Sequence, residues 1–122
     1  MSSQKKTLVI GASENPERYS YKAINLLLEY GHPVVAIGGR EGQVSSVRFG
    51  KEKLNFENLD TVTLYLNPQR QPDYYDYIIK LRPQRVIFNP GTENPLFENR
   101  LKDAGIKVVE ACTLVLLHTG QF

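Results

Sequence analysis

Short apolar runs, spaced by stretches of helical pattern, constrain this chain more than any other feature. Thr7-Leu8-Val9-Ile10 stops at Gly11, and Pro33-Val34-Val35-Ala36-Ile37 stops at Gly38-Gly39. Thr61-Val62-Thr63-Leu64-Tyr65-Leu66 stops at Asn67-Pro68, and Arg85-Val86-Ile87-Phe88 at Asn89-Pro90-Gly91. Ile106-Lys107-Val108-Val109 is the fifth run. A continuous apolar run such as the first reads as a strand buried on both faces, which a parallel sheet demands.

Helical patterns fill most of the gaps. Ala23, Leu26, Leu27 and Tyr30 fall at i, i+3, i+4 and i+7, so the spacing predicts a helix over 21–30. Ser20 is the expected N-cap and Gly31 the stop. Residues 72–81 read as a second helix, with Pro72 and Asp73 in its first turn and Pro83 ending it. Asn94-Pro95 opens a third, which carries Leu96, Phe97, Leu101 and Ala104 and stops at Gly105. Residues 113–117 make a short final helix. Residues 40–60 carry Gly42, Gly50 and scattered charges, and read as loop with a helical turn near 56–59.

Strands alternating with helices of about ten residues call for βαβ units. The expected fold class is α/β, a Rossmann-like open parallel sheet of about five strands with helices on both faces. Its expected strand order is 3-2-1-4-5, with the flavodoxin-like order 2-1-3-4-5 as the competitor. In either, a ligand belongs at the carboxyl ends of the strands. The 122 residues suit one domain, 1–122, and a chain of this size buries roughly two-thirds of its unfolded surface.

Charge and cysteine content narrow the function classes. Fifteen Lys and Arg stand against 13 Asp and Glu, a net charge of +2, and the signs are interspersed rather than gathered as nucleic-acid binding needs. No apolar run approaches the ~20 residues of a membrane span, and the polar start of the chain lacks the pattern of a signal peptide. The single cysteine, Cys112, forms no internal disulfide, which fits a cytoplasmic setting. It reads as a small buried hydrophobe rather than a nucleophile. His32 and His118 lie apart from it and from each other, so no metal site is expected. No catalytic residue is nominated.

Four loops after strands carry the informative residues. In the first, Gly11 permits a tight turn and the helix start offers free N–H groups to an anion. No further glycine follows before the helix, so this is not the dinucleotide fingerprint. Arg18 and Lys22 sit where the helix dipole disfavours cations, and an external phosphate would reverse that cost. Otherwise Lys22 is solvated or pairs with Glu14 or Glu17. The second strand ends in Gly38-Gly39-Arg40, without the acid that NAD-binding domains place there. That end suits a ligand with a ribose phosphate, such as NADP or coenzyme A. Asn67-Pro68 and Asn89-Pro90-Gly91-Thr92 follow the third and fourth strands. Their amides suit a pantetheine-like arm, though Asn and Pro are also ordinary loop residues.

The chain resembles the small bacterial CoA-binding proteins, which are similar to the CoA-binding domain of the succinyl-CoA synthetase alpha subunit. The resemblance rests on Val9-Ile10-Gly11-Ala12-Ser13 with Asn15-Pro16, on Ser20-Tyr21-Lys22 with Leu27, and on Gly31 to Val35 before Ile37. It continues through Asn89-Pro90-Gly91, Asn94, Ala104-Gly105-Ile106 and Cys112-Thr113-Leu114-Val115. It implies coenzyme A, or an acyl-CoA, held across the strand ends. By that resemblance Gly11, Ser13, Lys22 and the loop after the second strand hold the adenosine and phosphates, and the full expected binding set takes Gly11, Ala12, Ser13, Arg18, Ser20, Tyr21 and Lys22 from the first loop and helix. From the second strand end it takes Ile37, Gly38, Gly39 and Arg40. Asn67 and Pro68 join from the third loop, and Asn89, Pro90, Gly91 and Thr92 from the fourth. Family members often show Asn-Pro after the second strand, where this chain has Gly38-Gly39-Arg40. The synthetases hold a phosphorylated histidine in a further domain that these 122 residues are not expected to include, so their ligase chemistry is not expected to carry over. The expected role is a binding module without catalysis of its own. The alternatives are a minimal NADP-dependent oxidoreductase and a regulatory or assembly protein with a vestigial cleft. The edge strands leave room for a homodimer or another protein partner.

Overall fold

A computed structural model describes residues 4–122. The strands are β1 (Thr7–Ala12), β2 (Val34–Gly38), β3 (Gly42–Val44), β4 (Val47–Phe49), β5 (Thr61–Leu64), β6 (Arg85–Phe88) and β7 (Lys107–Glu110). The α-helices are α1 (Tyr19–Glu29), α2 (Tyr75–Leu81), α3 (Pro95–Asp103) and α4 (Thr113–His118). Two 3₁₀ turns, Pro68–Arg70 and Pro72–Tyr74, lead into α2.

Five parallel strands form the sheet in the order β2-β1-β5-β6-β7. Counted over the five apolar runs this is 2-1-3-4-5, so the expected order 3-2-1-4-5 is corrected. The third run pairs with the first, Thr7 beside Thr61 and Ile10 beside Leu64. The reason lies in residues 40–60. They hold an antiparallel hairpin, β3 with β4, where the sequence pattern predicted a loop. The hairpin sits beyond β2, and Gly50 makes a parallel bridge to Ile37, with the Gly38 N–H donating to the Gly50 carbonyl at 3.0 Å. That outer place is therefore taken, and the irregular segment 51–60, which has no helical turn, carries the chain back to the other side of β1.

Alternation along β1 sorts two cores, and a register shift between Ile10 and Ala12 turns Ala12 to the side of Val9. Leu8 and Ile10 face α2 and α3, packing with Ile78, Phe97 and Leu101. Val9 and Ala12 face α1, α4 and the hairpin, packing with Ile24, Leu27, Leu117 and Phe49. Helices thus cover both faces, as a parallel sheet requires. On the α2–α3 side Tyr75 stacks on Phe97 at 4.3 Å and Phe88 meets Phe97 edge-on at 5.8 Å. No helix among the described residues is long and apolar enough to cross a membrane.

Three local expectations change. Helix α1 starts at Tyr19 with Arg18 at the N-cap, and Ser20 is buried inside the first turn. The preceding turn is instead built by Asn15, whose side chain takes the Glu17 N–H at 3.0 Å and whose carbonyl takes the Arg18 N–H. Leu96 is exposed rather than part of the helix's apolar face. Strand β7 ends before Cys112, which is half-buried and occupies the N-cap of α4.

Buried amides fasten the carboxyl ends of the strands. Asn89, 2% exposed, donates to the Thr63 hydroxyl at 2.7 Å and to the Leu64 carbonyl at 2.8 Å, and accepts the Thr113 N–H at 2.8 Å. It joins β5, β6 and α4. A buried group left without its partner costs about 1–3 kcal/mol. Asn89→Ala should lower unfolding stability by about 2–4 kcal/mol, read as a lower urea midpoint at unchanged slope. A midpoint equal to wild type would mean these bonds contribute nothing net.

Candidate functional site

A groove runs along the carboxyl edge of the sheet, where the chain leaves β1 toward β2 on one side and β5 lies on the other. Such a reversal of strand order opens a crevice in α/β sheets. The inner part, about 370 Å³, lies between the loop after β1 and the loops after β5 and β6. The outer part, about 350 Å³, lies between the first loop, the end of β2 and Phe49 of the hairpin. Ala12, Ser13 and Gly39 line both parts, so the two adjoin. A larger hollow of about 710 Å³ lies elsewhere, along the outer edge of β2 under segment 46–56. It shares Glu41 and Phe49 with the outer part but no residue with the inner part or the uncapped start of α1.

Glycines shape the inner groove for different reasons. Gly11 has φ +96°, and a Cβ there would stand 2.8 Å from the Tyr65 carbonyl oxygen. Only glycine lets β1 end this close to β5. Gly38 is a packing glycine, because its Cβ would meet the Ala12 carbonyl at 2.7 Å and the Phe49 ring at 2.8 Å. Gly39, by contrast, faces open space.

Positive charge and free donors converge on the inner groove. Helix α1 has no side-chain cap and no acid in its first turn, so its first N–H groups stay unpaired. Tyr19 and Ser20 of that turn line the groove, as does Arg18. Arg70 also lines it, from the loop after β5. Asn67 sets that arginine by capping the 3₁₀ turn, its side-chain oxygen taking the Arg70 N–H at 3.1 Å. Two guanidinium groups and a helix start suit a phosphorylated ligand.

A buried clamp fixes the far wall. Gln71 is fully buried and donates to the Leu66 and Thr92 carbonyls, each at 2.8 Å. Its oxygen takes the Asn94 amide at 2.9 Å, and that amide also donates to the Tyr75 hydroxyl at 2.8 Å. Asn94 caps α3, while Glu98 returns a bond to the Asn94 N–H at 2.9 Å. Thr92 adds a hydroxyl bond to the Asn89 carbonyl at 2.7 Å. The loops after β5 and β6 are thereby held at one separation.

The structure brings most of the residues singled out in the sequence to this groove. Gly11, Ala12, Ser13, Arg18 and Ser20 line it from the first loop and helix. Gly39 joins from the end of β2 and Arg40 from the outer part. Asn67, Pro90, Gly91 and Thr92 complete the inner wall. Six others are placed outside its lining. Ile37 is core, and the Gly38 position is filled by packing. Tyr21 packs on the α1-side core, and Pro68 opens the 3₁₀ turn that Asn67 caps. The side chain of Asn89 is spent on protein bonds. Lys22 is exposed and stands 5.4 Å over the Tyr19 ring, not paired with Glu14 or Glu17.

Other lining residues carried no sequence signal of their own. Tyr65 and Leu66 read as strand, yet β5 ends at Leu64 and both line the groove while their side chains pack on the two cores. Phe49 and Glu41 reach the outer part only because the hairpin forms. Glu14 lies there too, its carboxylate held by the Gln43 N–H at 2.9 Å. Arg70 was within reach, since Asn67-Pro68 marks a capped turn three residues long.

Burial pushes the Tyr65 hydroxyl up to about 12, against the smaller opposing effect of the Thr63 and Thr113 hydroxyls. It therefore stays neutral near pH 7. Among the described residues no group of His, Cys, Asp and Glu is arranged to hold a metal ion.

Comparisons with known proteins agree with this architecture. A protein solved as an uncharacterized protein is 45% identical, with a TM-score of 0.96 over 99% of this chain and 100% of that one. A protein from Thermus thermophilus is 26% identical, with a TM-score of 0.85 over 98% of this chain and 91% of its own. A hypothetical protein from Pyrococcus horikoshii OT3 is 25% identical, also with a TM-score of 0.85, over 97% and 84%. No curated protein matches the sequence. The family model described as a CoA binding domain matches residues 5–118, nearly the whole chain. The chain belongs to the CoA binding domain family.

Proposed function

We propose that this chain binds coenzyme A, or an acyl-CoA, along the carboxyl-edge groove and acts as a binding module without catalysis of its own. The observation that carries this reading is the convergence of Arg18, Arg70 and the uncapped start of α1 on one groove. The pyrophosphate lies at the inner part, where these donors meet. The adenosine end runs toward Arg40 and Phe49 in the outer part, and the pantetheine arm passes Gly91 and Thr92. Arg40 holds the 3′-phosphate with a planar fork. Glu41 and Glu14 share that outer part, so the phosphate is read by one cation in a mixed field. A cytoplasmic setting fits the lone, half-buried cysteine.

Ligand-dependent melting tests the assignment. Coenzyme A at 100 times its dissociation constant stabilises by about 2.7 kcal/mol, a rise of roughly 10 °C for a chain this size. A shift with NADP and none with coenzyme A would replace this reading by the oxidoreductase one.

Calorimetry on variants tests the phosphate cradle. Arg18→Ala and Arg70→Ala should each weaken coenzyme A about tenfold or more, because charge-assisted bonds are worth about 1.5–3 kcal/mol. Lys22→Ala, whose amine stands over Tyr19, should change affinity less than about threefold, in line with an exposed contact. Wild-type affinity in both arginine variants would remove the cradle from the groove.

Dephospho-CoA isolates the outer contact. It should bind several-fold to a hundred-fold more weakly, matching the ~1–3 kcal/mol of partly solvated charge-assisted bonds. Arg40→Ala should weaken coenzyme A and leave dephospho-CoA almost unchanged, and salt should narrow the gap. Equal affinities in wild type would make Arg40 a solvated turn residue.

A further inference from the structure

The opposite, amino edge of the sheet carries a second constellation that ligand binding does not use. The chain turns back after α4 at Gly120, where φ is +71°. The Gln121 and Phe122 N–H groups both donate to the Leu116 carbonyl, at 2.8 and 3.1 Å. This turn delivers Phe122 to residues that precede or open three strands. His32 lies before β2, and the two rings are 4.9 Å apart. Arg85, at the start of β6, lays its guanidinium carbon 4.4 Å from the centre of the Phe122 ring. Lys5, before β1, places its amine 5.8 Å from the same point. The Phe122 main-chain oxygen accepts from the Lys5 amine and from Arg85 at 3.2 Å.

One bond makes this arrangement depend on protonation. The Lys5 main-chain N–H donates to His32 Nδ1 at 3.0 Å. That nitrogen must therefore carry a lone pair, which fixes the imidazole as neutral with its proton on Nε2. A second proton would have to go onto Nδ1 and would break the bond. It would also place a cation beside Lys5 and Arg85, a cost that Asp60, 3.9 Å from Arg85, opposes.

We propose that residues 119–122 are a latch on α4, seated on the amino edge while His32 is neutral and released when His32 is protonated. The latch holds the far end of α4, whose Leu117 packs in the same core as Ile24 and Leu27 of α1. Burial, then Lys5 and Arg85, lowers the His32 pKa below the usual 6.5, while Asp60 opposes this. The sign follows from that direction. The released state binds a proton more readily, so the latch is fully seated above about pH 6.5 and loosens as pH falls toward the lowered value.

Proton NMR with amide exchange on the full chain tests the latch. In wild type the His32 midpoint should lie below 6.5. The protection factors of the Gln121 and Phe122 amides should fall between about pH 6.5 and that midpoint, by up to about tenfold per pH unit, and level off below it. In His32→Gln their protection should be flat with pH. Linkage is reciprocal, so Phe122→Ala should raise the His32 midpoint back toward 6.5. Two results would each overturn the proposal. One is a His32 midpoint unmoved by Phe122→Ala, and the other is wild-type protection that stays flat through the His32 titration.

Discussion

The buried amide of Asn89 ties together the end of the sheet on which everything else is mounted. A parallel strand that stops leaves carbonyl and N–H groups that its neighbours no longer pair. At the end of β5 and β6 water is excluded, and Asn89 supplies the missing partners: the Leu64 carbonyl, the Thr63 hydroxyl and the first N–H of α4. Thr63 and Thr113 complete the knot with a hydroxyl contact of 2.8 Å. From there the Thr92 hydroxyl bonds back to Asn89, and Gln71 joins Thr92 to Leu66. The groove wall is thus an extension of a satisfied buried network, and such networks rigidify what they join.

The strands were legible because their burial is two-sided. Leu8, Val9 and Ile10 are all fully buried, so no polar residue interrupts them. Strand order was not legible, since both candidate orders share the same rhythm of elements. It was settled by Val44, Val47 and Phe49, three apolar residues scattered among glycines and charges in a hairpin of two three-residue strands. So short a pattern falls below what periodicity resolves. The covering helices were easier, although Leu96 shows that an apolar residue at a helix start need not be core.

The candidate site divides in a similar way. Position was readable, because loops after parallel strands must gather at one edge. Orientation was not. Asn67 and Asn89 both precede a proline after a strand, yet one is exposed and caps a turn while the other is buried and bonds three elements. Gly38 and Gly39 are adjacent and serve unlike ends, one yielding to Phe49 and the other facing open space. Arg18 and Lys22 looked equivalent as cations near a helix start. Four residues is one turn, but the loop bends Arg18 into the groove while Lys22 lies over Tyr19 outside it.

In the proposed function the carboxyl-edge groove, rather than the larger hollow at the edge of β2, receives coenzyme A. Amide chemical-shift mapping during a coenzyme A titration addresses this most directly, since it reports every part of the chain at once. The largest shifts are expected at Gly11, Ser13, Tyr19 and Ser20, with Arg70, Gly91 and Thr92 moving alongside them. Shifts concentrated at Val34, Val35, Arg48 and Leu54, or a spectrum unchanged at saturating ligand, would contradict it.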